Sequence, residues 1–183
     1  HKAIRRQRQM CIRDRYNTDI ETNKLERVNT YNRGTWIHMV DPSEDEIKEV
    51  CQNVNIKEDF IRYALDNEEK ARIDIEDEDD TILFIIDIPV TEKLHTGGYM
   101  YATMPIGMIV VRDDFFITVT LRECSLIKKF EQNKVKSFCT YKKSRFILQM
   151  MYNNSSEYLD YLKKINKETE IAENVLKLSL IHI

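Results

Sequence analysis

From Ser144 to Lys177 the chain carries neither Gly nor Pro, and apolar residues recur at Ile147, Met151, Tyr158, Leu162, Ile165, Ala172 and Leu176. These steps are sums of threes and fours, the spacing of one stripe on a helix. Charges fill the other sides: Glu157, Asp160, Lys163, Lys164, Lys167, Glu168, Glu170 and Glu173. One helix of this length runs roughly 50 Å, longer than a small domain is wide. Such a helix is a coiled-coil strand, a stalk or the approach to a membrane span. The polar run Asn153–Ser156 interrupts the stripe, so a kink there, giving two ordinary bundle helices, is the other reading. The stripe predicts that Leu162 and Ile165 pack against the domain or a neighbouring helix.

No stop signal closes this helix, and the last residues explain why. Leu178-Ser179-Leu180-Ile181-His182-Ile183 back-translates to CTG TCT CTT ATA CAC ATC, one strand of a transposon-end sequencing adapter. Arg5–Asp14 back-translates to the other strand with its primer tail. Residues 1–15 and 178–183 are therefore expected to be adapter-like and non-native, and are set aside as tags and scars are. The native part is then an internal fragment, 16–177, read as a domain over 16–142 and a truncated stalk-like helix over 143–177. On this reading the Arg-rich start is not a nucleic-acid-binding arm. The six apolar residues at the end fall far short of the ~20 that span a bilayer.

Charge changes once those ends are removed. They carry six basic residues and one acidic, which leaves 22 Lys+Arg against 30 Asp+Glu, a net charge of −8. An acidic surface repels nucleic acid and anionic lipid and suits cations or basic partners. The length fits one domain with an appendage. Cys51, Cys124 and Cys139 are odd in number and form no Cys-x-x-Cys pair, which favours reduced thiols in a cytosol over a disulfide frame.

In chain order, Tyr16–Arg33 is polar and weakly patterned, with an edge strand as its one regular possibility. Gly34-Thr35 is a turn and Trp36–Val40 a short strand ended by Asp41-Pro42. Ser43-Glu44-Asp45-Glu46 reads as a capping box that opens a helix burying Ile47, Val50, Cys51 and Val54. A second short helix has Phe60, Ile61, Ala64 and Leu65 apolar, with Asn55 as its cap. Ala71, Ile73 and Ile75 alternate with Arg72, Asp74 and Glu76, a strand with its polar face wet. Ile82–Ile86 is apolar on both faces, which predicts a central strand covered on both sides and Phe84 in the core. Asp87 interrupts that strand, Pro89 ends it, and Thr91–Tyr99 is a loop. Gly107–Val111 and Phe115–Thr120 form a hairpin around Arg112-Asp113-Asp114, and Ser125–Asn133 is a helix with Leu126, Ile127 and Phe130 inward. The sum is an α/β/α layered domain with a mixed sheet, followed by the long helix.

Catalytic chemistry finds no foothold. His38 and His95 are far apart in sequence, too few for a zinc site. Cys124 follows a strand but has no identifiable base, so it reads as an inert thiol. The carboxylate run Asp74–Asp80 lacks the spacing and the glycine of an EF-hand and reads as a solvated turn. No enzyme class is supported.

Four blocks point elsewhere. Trp36–Ile47 (WIHMVDPSEDEI) resembles the strand-to-helix opening of the CorA family of divalent-cation channels. Leu65–Asp74 (LDNEEKARID) is similar to that family's helix end and next strand, Met104–Val110 with Phe116–Val119 to its following hairpin, and the long helix to its stalk. The resemblance implies a cytosolic α/β/α domain at the cell membrane, a homopentamer, and two membrane helices near the C-terminus with a Gly-Met-Asn signature. It also implies Mg²⁺ uptake that tolerates Co²⁺ or Ni²⁺. It further implies regulatory Mg²⁺ between protomers, held by an acid near the end of the second short helix and one on the stalk. The first of these aligns near Tyr63, which is no acid, so the flanking Asp59 and Asp66 become the candidate metal residues. A related zinc transporter and a soluble binding or scaffold protein with the same domain are the other readings. No nucleic-acid partner is expected.

Overall fold

The computed structural model describes residues 13–94 and 97–181. Among the described residues there are seven strands: β1 (Arg13–Thr18), β2 (Leu25–Arg27), β3 (Trp36–Val40), β4 (Arg72–Glu76), β5 (Thr81–Lys93), β6 (Tyr99–Val111) and β7 (Phe115–Thr120). They make one sheet in the order β2-β1-β3-β7-β6-β5-β4. Only β3 and β7 run parallel. The helices are α1 (Glu44–Val54), α2 (Asp59–Tyr63), α3 (Ser125–Glu131) and α4 (Lys143–Ile181).

Alternation along the central strands makes two cores. Ile37, Met39, Ile117 and Val119 point to one face, where they meet Ile47, Val50 and Val54 of α1 and Phe60 and Ile61 of α2. Trp36 and Phe116 point to the other, where they meet Leu126, Ile127 and Phe130 of α3 and Phe146 and Met150 of α4. The first core is chiefly aliphatic. The second is aromatic: the ring of Phe146 lies 5.1 Å from Trp36, 4.3 Å from Phe116 and 4.5 Å from Phe138. This is the expected α/β/α layering with a mixed sheet. The capping box forms, with Ser43 Oγ accepting from the Glu46 amide and Glu46 accepting from the Ser43 amide. Gly107 is dictated by contact: a Cβ there would stand 2.4 Å from Cβ of Ala64, just past α2.

Several expectations are corrected. Asn55 ends α1 in the left-handed conformation, and Glu58 stands at the start of α2. The hairpin of β5 and β6 is far longer than the sequence suggested, paired from Thr81↔Val111 out to Lys93↔Tyr99. Pro89 does not end β5, because β4 flanks that strand only as far as Ile85 and a missing N–H beyond it breaks no second ladder. Phe84 is half-buried, and over Ile82–Ile86 the strand is fully covered only on its Leu83 and Ile85 side, while Ile88 and Val90 further on are buried on the other face. On β4 the expected faces are reversed. Ile73 and Ile75 are 58% and 69% exposed, while Arg72 pairs with Glu69 and Asp74 and Glu76 pairs with Lys57.

The polar stretch near the start does enter the sheet. Arg13–Tyr16 pairs with Trp36–Met39 of β3, and Asp14 is buried against Arg27. Residues 13–15, set aside above as adapter-like, thus occupy sheet positions, and residues 1–12 lie outside the described residues. Helix α4 is unbroken through Asn153–Ser156. The side chains of Asn153, Ser155 and Ser156 each donate to the carbonyl four residues back, which accommodates the polar run without a kink.

Candidate functional site

Asp59 is the first residue of α2 and is exposed. It lines a pocket of about 320 Å³ with Lys57, Phe60, Tyr63, Asp74, Ile75 and Glu76. Two of the three acids there are already engaged, Asp74 by Arg72 at 2.6 Å and Glu76 by Lys57 at 3.0 Å. Asp66 is exposed, stands outside that pocket and accepts from the Glu68 amide at 2.9 Å. Among the described residues, no three His, Cys, Asp or Glu side chains converge on a point that could hold a metal. The two candidates are therefore surface acids, each able to offer one carboxylate to a cation whose remaining ligands are water or another chain. Tyr63 lies between them in sequence, its ring under the Arg72 guanidinium at 4.9 Å.

The other sequence candidates are structural. His38 is 3% exposed, with Nδ1 2.9 Å from Oγ1 of Thr118. The same oxygen accepts from Nε1 of Trp36 at 2.9 Å. Burial holds the imidazole pKa down to about 4, so it is neutral near pH 7. Burial also pushes the Cys124 thiol up to about 11, away from the thiolate a nucleophile needs. His95 lies outside the described residues.

The feature with mechanical reach is α4. Its first part is built into the domain: Phe146, Ile147 and Met150 are buried, and so are the polar Asn154 and Glu157. Asn154 Nδ2 donates to the Asp87 carbonyl at 2.8 Å. The Glu157 carboxylate accepts from Ser125 Oγ at 2.8 Å and pairs with Lys129 Nζ at 2.8 Å, which clasps α4 to α3. From Leu162 to Lys177 every residue is exposed. The far part of the β5–β6 hairpin runs beside this segment. Tyr101 packs edge-on to Tyr161 at 5.6 Å and donates to Glu168 at 2.6 Å, and Thr91 donates to the Tyr161 hydroxyl at 3.2 Å. Leu162 (52% exposed) and Ile165 (36%) line the shallow groove between helix and hairpin instead of a core. Neither this hairpin prop nor the Glu157 clasp was anticipated. The long register of β5 and β6 was hidden by two prolines, and buried polar residues read as surface in a sequence.

A family model described as CorA-like Mg²⁺ transporter protein matches residues 31–180. No curated protein sequence matches the chain. The soluble domain of CorA from Methanocaldococcus jannaschii superposes with a TM-score of 0.74 at 19% identity, over 91% of this chain and 64% of that one. The complete CorA magnesium transporter from the same organism gives 0.71 at 17% identity, over 89% of this chain and 50% of that one. The ZntB cytoplasmic domain from Vibrio parahaemolyticus RIMD 2210633 gives 0.64 at 13% identity, over 84% and 62%. At these identities the likeness is one of fold, and the chain spans half the length of the complete archaeal transporter.

Proposed function

Because the chain belongs to the family of CorA-like Mg²⁺ transporter proteins, we propose that it is the cytosolic ion-sensing part of a divalent-cation channel, gating a pore that lies outside these residues. Among the described residues no helix is long and apolar enough to cross a membrane. Transport, Mg²⁺ or Co²⁺ as cargo, and a pentameric membrane assembly are thus assigned to the whole protein.

The observation that carries the reading is α4: 39 residues, about 58 Å at helical rise, clasped at Glu157 and standing clear of the core beyond Tyr161. A rigid rod fixed at one end turns small displacements of the domain into large ones at its tip. The acidic surface supplies the input. Asp59 and Asp66 bind Mg²⁺ through its waters, because this ion dehydrates reluctantly. A cation held between acidic faces of neighbouring protomers offsets their repulsion and favours the closed ring, and its loss loosens the ring.

Mg²⁺ at millimolar concentration is expected to slow proteolysis of the full-length protein relative to KCl of equal ionic strength, since a ligand of the native state stabilises it by mass action. Asp59→Asn with Asp66→Asn should remove the protection. Equal digestion with and without Mg²⁺ removes the sensor role. Protection by micromolar Zn²⁺ and not by Mg²⁺ moves the protein to the zinc-transporter reading. Reconstituted full-length protein that carries no ion flux moves it to the soluble-scaffold one.

A further inference from the structure

Between the sheet and the first turns of α4 lies a groove of about 530 Å³, within the roughly 300–1,000 Å³ range of small-molecule sites. Its apolar lining is Ile82, Phe84, Val110, Ile147, Leu148 and Met151. Ile82 and Phe84 are only half-buried, and Leu148 is 66% exposed. Across the ladder Ile75 stands opposite Ile82 and Ile73 opposite Phe84, which carries the apolar floor on to the sheet edge. The polar lining, Asp80, Asp113, Lys143 and Ser144, gathers at one end. There the Arg112 amide donates to the Asp80 carbonyl at 2.8 Å, which brings the turns before β5 and β7 together beside the start of α4. An apolar trough with a single polar end matches an amphipathic molecule with one head.

Burial sets the sign of that head. Lys143 is 5% exposed, and its ammonium donates to the Asp113 carbonyl and, at 3.3 Å, to the Asp113 carboxylate. An ammonium has three donors, and no third acceptor meets this one among the described residues. The Asp113 side chain is 81% exposed, and Asp80 is exposed as well. Carboxylates standing in water are screened, whereas a charge held out of water acts strongly on whatever enters beside it. The Ser144 hydroxyl and the leading amides of α4, which have no intrahelical acceptor, add donors at the same end. We propose that the groove binds a single-chain amphipathic carboxylate, its head on Lys143 and Ser144 and its alkyl tail along Ile147 and Met151. From Lys143 to Met151 the helix rises about 12 Å, a length that a medium alkyl chain fills. The site lies on the opposite face of the sheet from α2, apart from Asp59 and Asp66, and stands independently of which ion the protein handles.

Isothermal titration calorimetry of the 183-residue chain with decanoate, decanol and decyltrimethylammonium, each kept monomeric in solution, tests the proposal. One saturable decanoate site is expected, about tenfold tighter than either control. Lys143→Met keeps the apolar stem and removes the ammonium, so it should weaken decanoate about tenfold and leave decanol unchanged. Asp113→Asn removes the competing carboxylate and should tighten decanoate about twofold to threefold. Leu148→Glu sets an acid in the trough and should weaken decanoate about tenfold or more with melting unchanged. Asp113 and Leu148 are both exposed, so their variants keep the fold and decide the matter even where Lys143→Met does not fold. A photoreactive decanoate analogue should also label residues 143–151 in the full-length protein. No saturable decanoate site overturns the proposal, and so do equal affinities for the three probes or tighter binding of the cation. Decanoate binding indifferent to Asp113→Asn and Leu148→Glu overturns it too. So does full-length protein left unlabelled at residues 143–151, because the groove is then filled by the protein's own chain.

Discussion

The two parts of α4 share one helix and one unbroken run of backbone, yet they live in different solvents. The part from Lys143 to Glu157 is packed under an aromatic layer: Phe146 is fully buried among Trp36, Phe116, Phe130 and Phe138. The part from Leu162 to Lys177 is exposed and meets Tyr101 and the edge of the β5–β6 hairpin. The first is held by tertiary burial. The second depends on helix propensity, on pairs such as Lys163–Asp160 and Lys177–Glu173, and on the hairpin prop. This difference is what a lever requires: an anchor that cannot slip and an arm free to swing.

The comparison breaks most visibly at Phe146. Phe146→Ala leaves a cavity among four aromatic rings and should cost about 3–5 kcal/mol. Leu176→Ala, 63% exposed on the arm, should cost less than about 0.5 kcal/mol. Urea unfolding of both variants measures the contrast. Equal losses would mean that the arm packs as tightly as the anchor.

Acid should loosen the anchor next. His38 lies beside Trp36 on the face that α4 covers, and burial depresses its pKa from 6.5 to about 4, with the Thr118 hydrogen bond and the charge of Glu123 opposing the shift. The unfolded chain takes up the proton first, so the stability contributed by neutral His38 is complete above pH 6.5 and is lost as pH falls toward 4. By pH 5 the loss is about 2 kcal/mol. Unfolding free energies between pH 7 and 5 should slope accordingly, and His38→Asn should flatten that slope. Asp14, Tyr16, Glu123, Lys128 and Glu131 line the same small pocket as His38.

Much of the anchor could be read from the chain. The capping box, the four buried residues of α1, the inward face of α3 and the mixed α/β/α layering followed from periodicity and turn chemistry. The buried face of α4 did not. The predicted stripe starts on the packed face, with Ile147 buried and Met151 against the core, but the most buried face runs through Phe146, Met150, Asn154 and Glu157. Two of those four are polar, and only a specific partner makes their burial favourable: the Asp87 carbonyl for one, Ser125 and Lys129 for the other. Periodicity cannot see a partner. The same blindness reversed β4, where Arg72 and Glu76 find ion partners and Ile73 and Ile75 stay exposed. Asp59 and Asp66 came from a family resemblance alone, and nothing in one chain's geometry singles them out from other surface acids.

The Glu157 clasp sharpens the boundary between anchor and arm. Glu157→Gln keeps the shape and the Ser125 hydrogen bond but gives up the charge facing Lys129, which is itself 37% exposed. The expected cost is about 1–2 kcal/mol, below that of a fully buried pair because water still reaches the lysine. A Glu157→Gln variant with Lys129→Met should recover part of it. No cost at all would move the hinge of α4 toward Asn154.

The smallest effect is expected at the prop. Tyr101→Phe removes only the hydroxyl that donates to Glu168 and keeps the ring against Tyr161. Both partners are near solvent, so global stability should change by less than about 0.5 kcal/mol. Local stability should change more clearly. The arm has no other polar tie to the domain beyond Tyr161 among the described hydrogen bonds and ion pairs, so its amides should open more often once this one is gone. Hydrogen exchange over residues 162–177 should quicken roughly twofold to threefold, while residues 143–157 keep their protection. Unchanged exchange along the arm would mean that it stands on helix propensity alone. The domain would then steer α4 only at the Glu157 clasp, and a shift of the hairpin could not be passed to the arm.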